Sequence, residues 1–159
     1  MLNCRLKPDS QPKLRTFPTQ PRRAGGRMPV VESEFLLALR ASDPKHKAAL
    51  AIFRKYPVLE VCTAALLEVA WLLRSKAKRP EEISLALSIL WAELEDRGVT
   101  EVALTASQIA RAHDILTRHA VTFFDALILA NAEESHDRRI VSNDDSFDGT
   151  GTVERIPFK

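Results

Sequence analysis

From Met28 onward, short β-rich runs take turns with longer stretches whose apolar residues recur every three or four positions. PVV at 29–31 opens the series, and SEFLLALRA follows with helical spacing at Phe35, Leu36 and Leu39. DPKHKAALAIFRKY predicts a helix capped by Asp43, with Pro44 in the first turn, where a missing N–H does no harm. PVLEV at 57–61 predicts a strand, and TAALLEVAWLLRSK at 63–76 a helix of Ala and Leu. RPEEISLALSILWAELEDRG opens on Pro80 and two glutamates and stops at Gly98, the expected order of start and stop signals. VTEVALT at 99–105 predicts a strand, after which Thr105 and Gln108 form a capping box for a helix to about His119. TFFDALILANA begins another helix, 122–136; RRIVS at 138–142 predicts a strand, NDDSFDGTG a polar loop and VERIPF a last strand. No segment repeats another.

Strands separated by helices favour a parallel sheet with helices on both faces. The expected fold class is α/β, with a short parallel sheet of about four to five strands and more helices than strands.

Composition adds one division. A chain of 159 residues with 45% hydrophobic content suits a single domain with an ordinary core. The net charge of +2 conceals a balance of +6 over residues 1–27 and −4 over the rest. That leading segment has four prolines, a Gly25-Gly26 pair and no apolar periodicity, so it is expected to be a disordered basic tail ahead of a domain at 28–159. It lacks the apolar core of a secretory signal, and Met28 offers an alternative start. A basic arm that touches nucleic acid is one use for it. No run approaches the roughly 18 apolar residues of a membrane span. Cys4 and Cys62 are a poor basis for a disulfide framework, and His46, His113, His119 and His136 form no close metal-binding pair. A soluble, cytoplasmic protein with no membrane association is expected.

The acids carry the chemistry. In a parallel α/β sheet the carboxyl ends of the strands form the usual ligand edge. Glu32 directly follows PVV, and Asp144 follows RIVS by one residue. Asp125 lies in the first turn of its helix, and Glu68 about a turn and a half into another. Glu68 is the only charge in ALLEVAWLL, and Asp125 stands among Phe123, Phe124, Ala126, Leu127 and Ile128. A carboxylate in apolar surroundings must be protonated or meet a countercharge, and one divalent cation would serve several acids. With no Cys or His ligands at hand, hard oxygen donors suit Mg²⁺ or Mn²⁺. The plainer alternative is that Asp125 partners the Thr122 cap and that both acids border solvent along their helices. Periodicity leaves the two readings open.

VVESEFLLALRASDPKHKAAL, TAALLEVAWLL and FFDALILANAEESHDRRIVSNDDSF, in that order, resemble the PIN-domain family, especially the VapC-type toxins of toxin–antitoxin pairs. The resemblance runs from about Pro29 to Ile156. It implies a three-layer PIN-like fold that cuts RNA with Mg²⁺ or Mn²⁺ held by four acids: Glu32, Glu68, Asp125 and Asp144. Ser142 matches the hydroxyl residue two places before the last acid, whereas Asp145 and Asp148 read as loop acids. A small antitoxin partner and a homodimer are implied as well. The sequence departs from the family at the first motif, Glu32-Ser33-Glu34, where an Asp is usual; Glu adds about 1.5 Å of reach. Glu34 is a candidate to compensate. The implied chemistry is metal-assisted phosphodiester hydrolysis, with Arg40, Arg74, Lys76 or Arg138 as further RNA contacts. The departure supports a second reading, a PIN-like binding or regulatory module with weakened catalysis.

Overall fold

The computed structural model describes residues 28–76 and 78–159. The expectation for the basic tail, 1–27, lies outside the described residues. Five strands, β1 (Val30–Val31), β2 (Glu60–Cys62), β3 (Thr100–Val102), β4 (Arg139–Val141) and β5 (Glu154–Ile156), form one sheet in the order β3-β2-β1-β4-β5. Every pairing is parallel. Among the described residues six helices flank the sheet: α1 (Ser33–Ala38), α2 (His46–Lys55), α3 (Thr63–Ser75), α4 (Pro80–Asp96), α5 (Ala106–Arg118) and α6 (Phe123–Glu134). The expected α/β class holds.

The strands are short because their burial is concentrated. Val30, Val31, Val61, Ile140 and Val141 are fully buried, as befits central parallel strands covered on both faces. Helix α6 is buried continuously from Asp125 to Ala132 and packs against α3, α5, β1 and β4. A helix apolar on every side belongs inside the molecule. In α4 the apolar residues divide: Leu94 is core, whereas Leu85 and Ile89 stand exposed.

Local signals are realised at α5, where Thr105 accepts from the Gln108 N–H and the Gln108 side chain accepts from the Thr105 N–H. T105A removes one half of this box and is expected to lower unfolding free energy by about 1 kcal/mol in urea denaturation. Three expectations change. Asp43 does not cap α2; its Oδ1 accepts from the Lys45 N–H in a turn containing Pro44, and the helix starts at His46. The second strand begins at Glu60, beyond Pro57, which has no N–H for a ladder. The loop after β4 contains a 3₁₀ helix, Asp145–Thr150, whose first turn is capped by Asp144.

Sheet order locates the crevice. The chain builds outward from β1 through β2 to β3, then returns to lay β4 on the other side of β1 and β5 beyond it. Strand order therefore reverses between β1 and β4. Loops diverge there at the carboxyl ends, opening the place where α/β sheets bind ligands.

Candidate active site at the β1–β4 crevice

Register brings the first two residues of the site together. Val31 pairs with Val141, so Glu32 and Ser142 emerge side by side. Glu32 is 4% exposed and leaves the strand in an extended conformation (φ −100°, ψ 176°). Its Oε2 accepts the Glu34 N–H at 3.0 Å, so the carboxylate caps α1. Its Oε1 is buried without a hydrogen-bond partner. Burial pushes the Glu32 pKa up to about 8, and the charges of Glu34 and Asp125 add to the rise. The Glu34 N–H and the Ser142 hydroxyl, both donating to Glu32, oppose it.

Glu68 reaches the same place from α3. Its Oε2 is also buried and unpartnered. Burial raises its pKa, and the negative charge of Asp125 raises it further, against a hydrogen bond from Ser33. Thus Ser33, which had no assigned role from sequence, positions Glu68 while the residue before it supplies Glu32. The available signal was its place directly after the first acid of the motif.

Asp125 takes the capping role, and its charge also reaches the other two acids. Its Oδ2 accepts from the Thr122 N–H at 3.2 Å and from the Thr122 hydroxyl, while the Asp125 N–H donates back to that hydroxyl at 3.3 Å. The cap is real. The side chain is nevertheless only 8% exposed, and its charge acts on both Glu32 and Glu68. Capping fixes one oxygen and so orients the carboxyl group.

The remaining candidates stand farther out. Asp144 is exposed and its Oδ1 accepts from the Ser146 N–H at 2.9 Å. It joins Glu32 through Ser142, whose hydroxyl accepts the Asp144 N–H at 2.9 Å. Glu34 is held by the Lys45 ammonium, which turns it to a different partner from Glu32. Asp148 is engaged by Arg155. Arg138 precedes β4, at the amino edge of the sheet, and so lies opposite the crevice rather than beside it. Arg40 pairs with Asp43.

The chemistry of this donor set suits a hard cation: carboxylates only, two of them with a buried oxygen that no protein group satisfies. The arrangement is open, however. Among the described residues, no three Asp, Glu, His or Cys side chains are grouped closely enough to hold a metal ion.

The PIN domain family matches residues 30–152. No curated protein matches the chain. Among solved structures, the VapC20 toxin of Mycobacterium tuberculosis, described as cleaving the sarcin–ricin loop, is similar with a TM-score of 0.63 and 25% identity, covering 79% of this chain and 96% of that one. VapBC2 of Rickettsia felis, bound to a promoter DNA fragment, is similar at TM-score 0.62 and 15% identity, over 83% of this chain and 99% of that one. A toxin–antitoxin complex from Klebsiella pneumoniae gives 0.55 and 16%, over 80% and 95%.

Proposed function

The chain belongs to the PIN-domain family, and from that membership we propose that it is a metal-dependent endoribonuclease, the toxin of a toxin–antitoxin pair. The observation that carries this reading is the pair of orphaned carboxylate oxygens, Glu32 Oε1 and Glu68 Oε2, at the sheet's switch point. A buried acid, Glu32, and a half-buried one, Glu68, that repel the same neighbour, Asp125, are a destabilising arrangement for the protein alone. Lys45, the cation whose field reaches Glu32, is already committed to Glu34. Perturbed acids gathered in a crevice point to function. Likeness to a toxin that cleaves an RNA loop supports RNA as the substrate class.

Glu32, Glu68 and Asp125 are the side chains that would have to close on Mg²⁺ or Mn²⁺ as it binds, because they form no finished ligand set beforehand, and Asp144 would join on releasing the Ser146 N–H. When bound, such an ion neutralises charge on the scissile phosphate and makes water a competent nucleophile. The serines do the positioning: Ser33 holds Glu68, and Ser142 holds Glu32 while anchoring the backbone of Asp144. Thr122 keeps Asp125 in one rotamer by occupying Oδ2. The exposed Leu85 and Ile89 of α4 are apolar surface suited to a second copy of the chain or an antitoxin.

A second reading also has an observation behind it. Glu32 Oε2 is occupied in capping α1, and the acids are not drawn together as a closed ligand set. A PIN-like binding module with weakened catalysis fits that arrangement. Calorimetric titration of the full chain with Mn²⁺ separates the two. The nuclease reading expects saturable binding that is lost in E68A and D125A; no binding by the wild type favours the module.

A further inference from the structure

We infer that Trp71, Phe123 and Phe124 form a stacking platform for unpaired RNA bases, continued by the mainly apolar groove between α3 and α4, which Arg74 borders. This rests on RNA being the substrate, as proposed above, and adds how the strand is presented.

The rings neighbour two of the acids along the chain. Phe123 and Phe124 immediately precede Asp125, and Trp71 follows Glu68 by three positions, placing it on the same side of α3. Trp71 and Phe124 have ring centroids 6.2 Å apart, Phe124 and Phe123 5.9 Å, and Phe123 meets the His113 ring at 6.3 Å. Phe124 packs on the core, which anchors the row. The other two are left in solvent: Trp71 is 57% exposed and Phe123 47%. Large aromatic faces presented to water beside a crevice are available to a ligand with flat apolar faces.

The charge pattern selects that ligand. From Trp71 the surface runs into a mainly apolar groove of about 430 Å³ whose lining includes Arg74, Pro80, Ile83 and Leu87. Lys76, Lys78 and Arg79 are exposed where the chain passes from α3 to α4. Arg79 pairs with Glu82, whereas Arg74 and Lys76 enter no ion pair among the described residues. The acids of the crevice repel a polyanion, so a strand approaching them needs cations nearby. Aromatic faces interleaved with unpaired basic side chains are what single-stranded nucleic acid requires: bases stack and phosphates take the charge. A duplex hides its base faces within the stack and would gain little from these rings. A strand seated with phosphates on Arg74 and Lys76 and bases on Trp71 and Phe123 leads its next phosphate to the acids.

Fluorescence anisotropy of a short labelled single-stranded RNA, with the full chain in EDTA so that nothing is cut, tests this. W71A is expected to weaken binding about tenfold and W71F to recover most of it. R74A should reduce the slope of log affinity against log salt by about 0.7. Binding should quench the fluorescence of Trp71, a change missing in W71F, where Trp91 alone remains. Equal affinity in W71A and F123A, or tighter binding of duplex than of single strand, overturns the inference. So does a W71A variant whose RNA affinity is unchanged but whose sedimenting mass falls, because the surface then belongs to a second copy. Binding that depends on Trp71 without any Mn²⁺-dependent cleavage sinks the nuclease reading and leaves this one. Cleavage with an unaltered KM in W71A does the reverse.

Discussion

D125N is expected to abolish Mn²⁺-dependent RNA cleavage, with a loss of at least about a hundredfold, while its thermal unfolding in EDTA should stay close to wild type. Even groups one shell removed from a bound metal cost about 10- to 100-fold when replaced, so a direct carboxylate ligand should exceed that. The two halves of the prediction separate the two jobs of this side chain. Capping uses Oδ2, which accepts from the Thr122 N–H and hydroxyl. An Asn oxygen can accept both, so the start of α6 is retained. What disappears is the negative charge that acts on Glu32 and Glu68. Its removal relieves repulsion between buried acids, so the metal-free protein should not be weakened. Cleavage assays of a labelled RNA, with unfolding followed by circular dichroism, measure both halves. A fully active D125N would show that Asp125 is a capping acid and nothing more.

The metal-free chain is expected to become less stable as pH rises from about 4.5 to about 8, and E32Q should remove most of that dependence. Burial raises the Glu32 pKa from 4.5 to about 8 in the folded protein. Below 4.5 the side chain is protonated whether folded or unfolded, and the native state bears no charge cost there. Between the two values the unfolded chain releases the proton and the folded chain keeps it, so folding must bind a proton and loses free energy with each pH unit. Above about 8 both states are ionised and the slope ends. The span corresponds to a loss of about 5 kcal/mol, with Glu68 shifting in the same direction. E32Q should therefore be more stable than wild type at pH 8 and close to it at pH 5. Urea denaturation across this range in EDTA measures the difference. Parallel curves for the two proteins would mean that Glu32 ionises freely in the fold.

Much of the site was legible as a set of anomalies. Lone carboxylates in ALLEVAWLL and TFFDALILANA single out Glu68 and Asp125, and the structure brings the charge of Asp125 to bear on both Glu68 and Glu32. Pattern could not say which way a side chain turns. Asp144 sits at the end of β4 as expected, yet its carboxylate caps the 3₁₀ helix that the polar loop concealed. Glu34 lies two residues from Glu32, and Lys45, eleven positions on, takes it. Both outcomes depend on short-range polar contacts whose partners no periodicity announces.

By itself the sequence determined the succession of strands and helices, because periodicity, caps and chain breakers act within a few residues of one another. The capping boxes at Thr105 and Thr122 are of this kind. It also determined that acids in apolar company would need a partner. Only the tertiary structure decided who meets whom. The return of the chain to lay β4 against β1 makes Glu32 and Ser142 neighbours across 110 positions, and it sends Arg138 to the opposite edge. That choice comes from closing long loops around one buried sheet, where the free energy lies in contacts between segments that carry no mark of each other in the linear order.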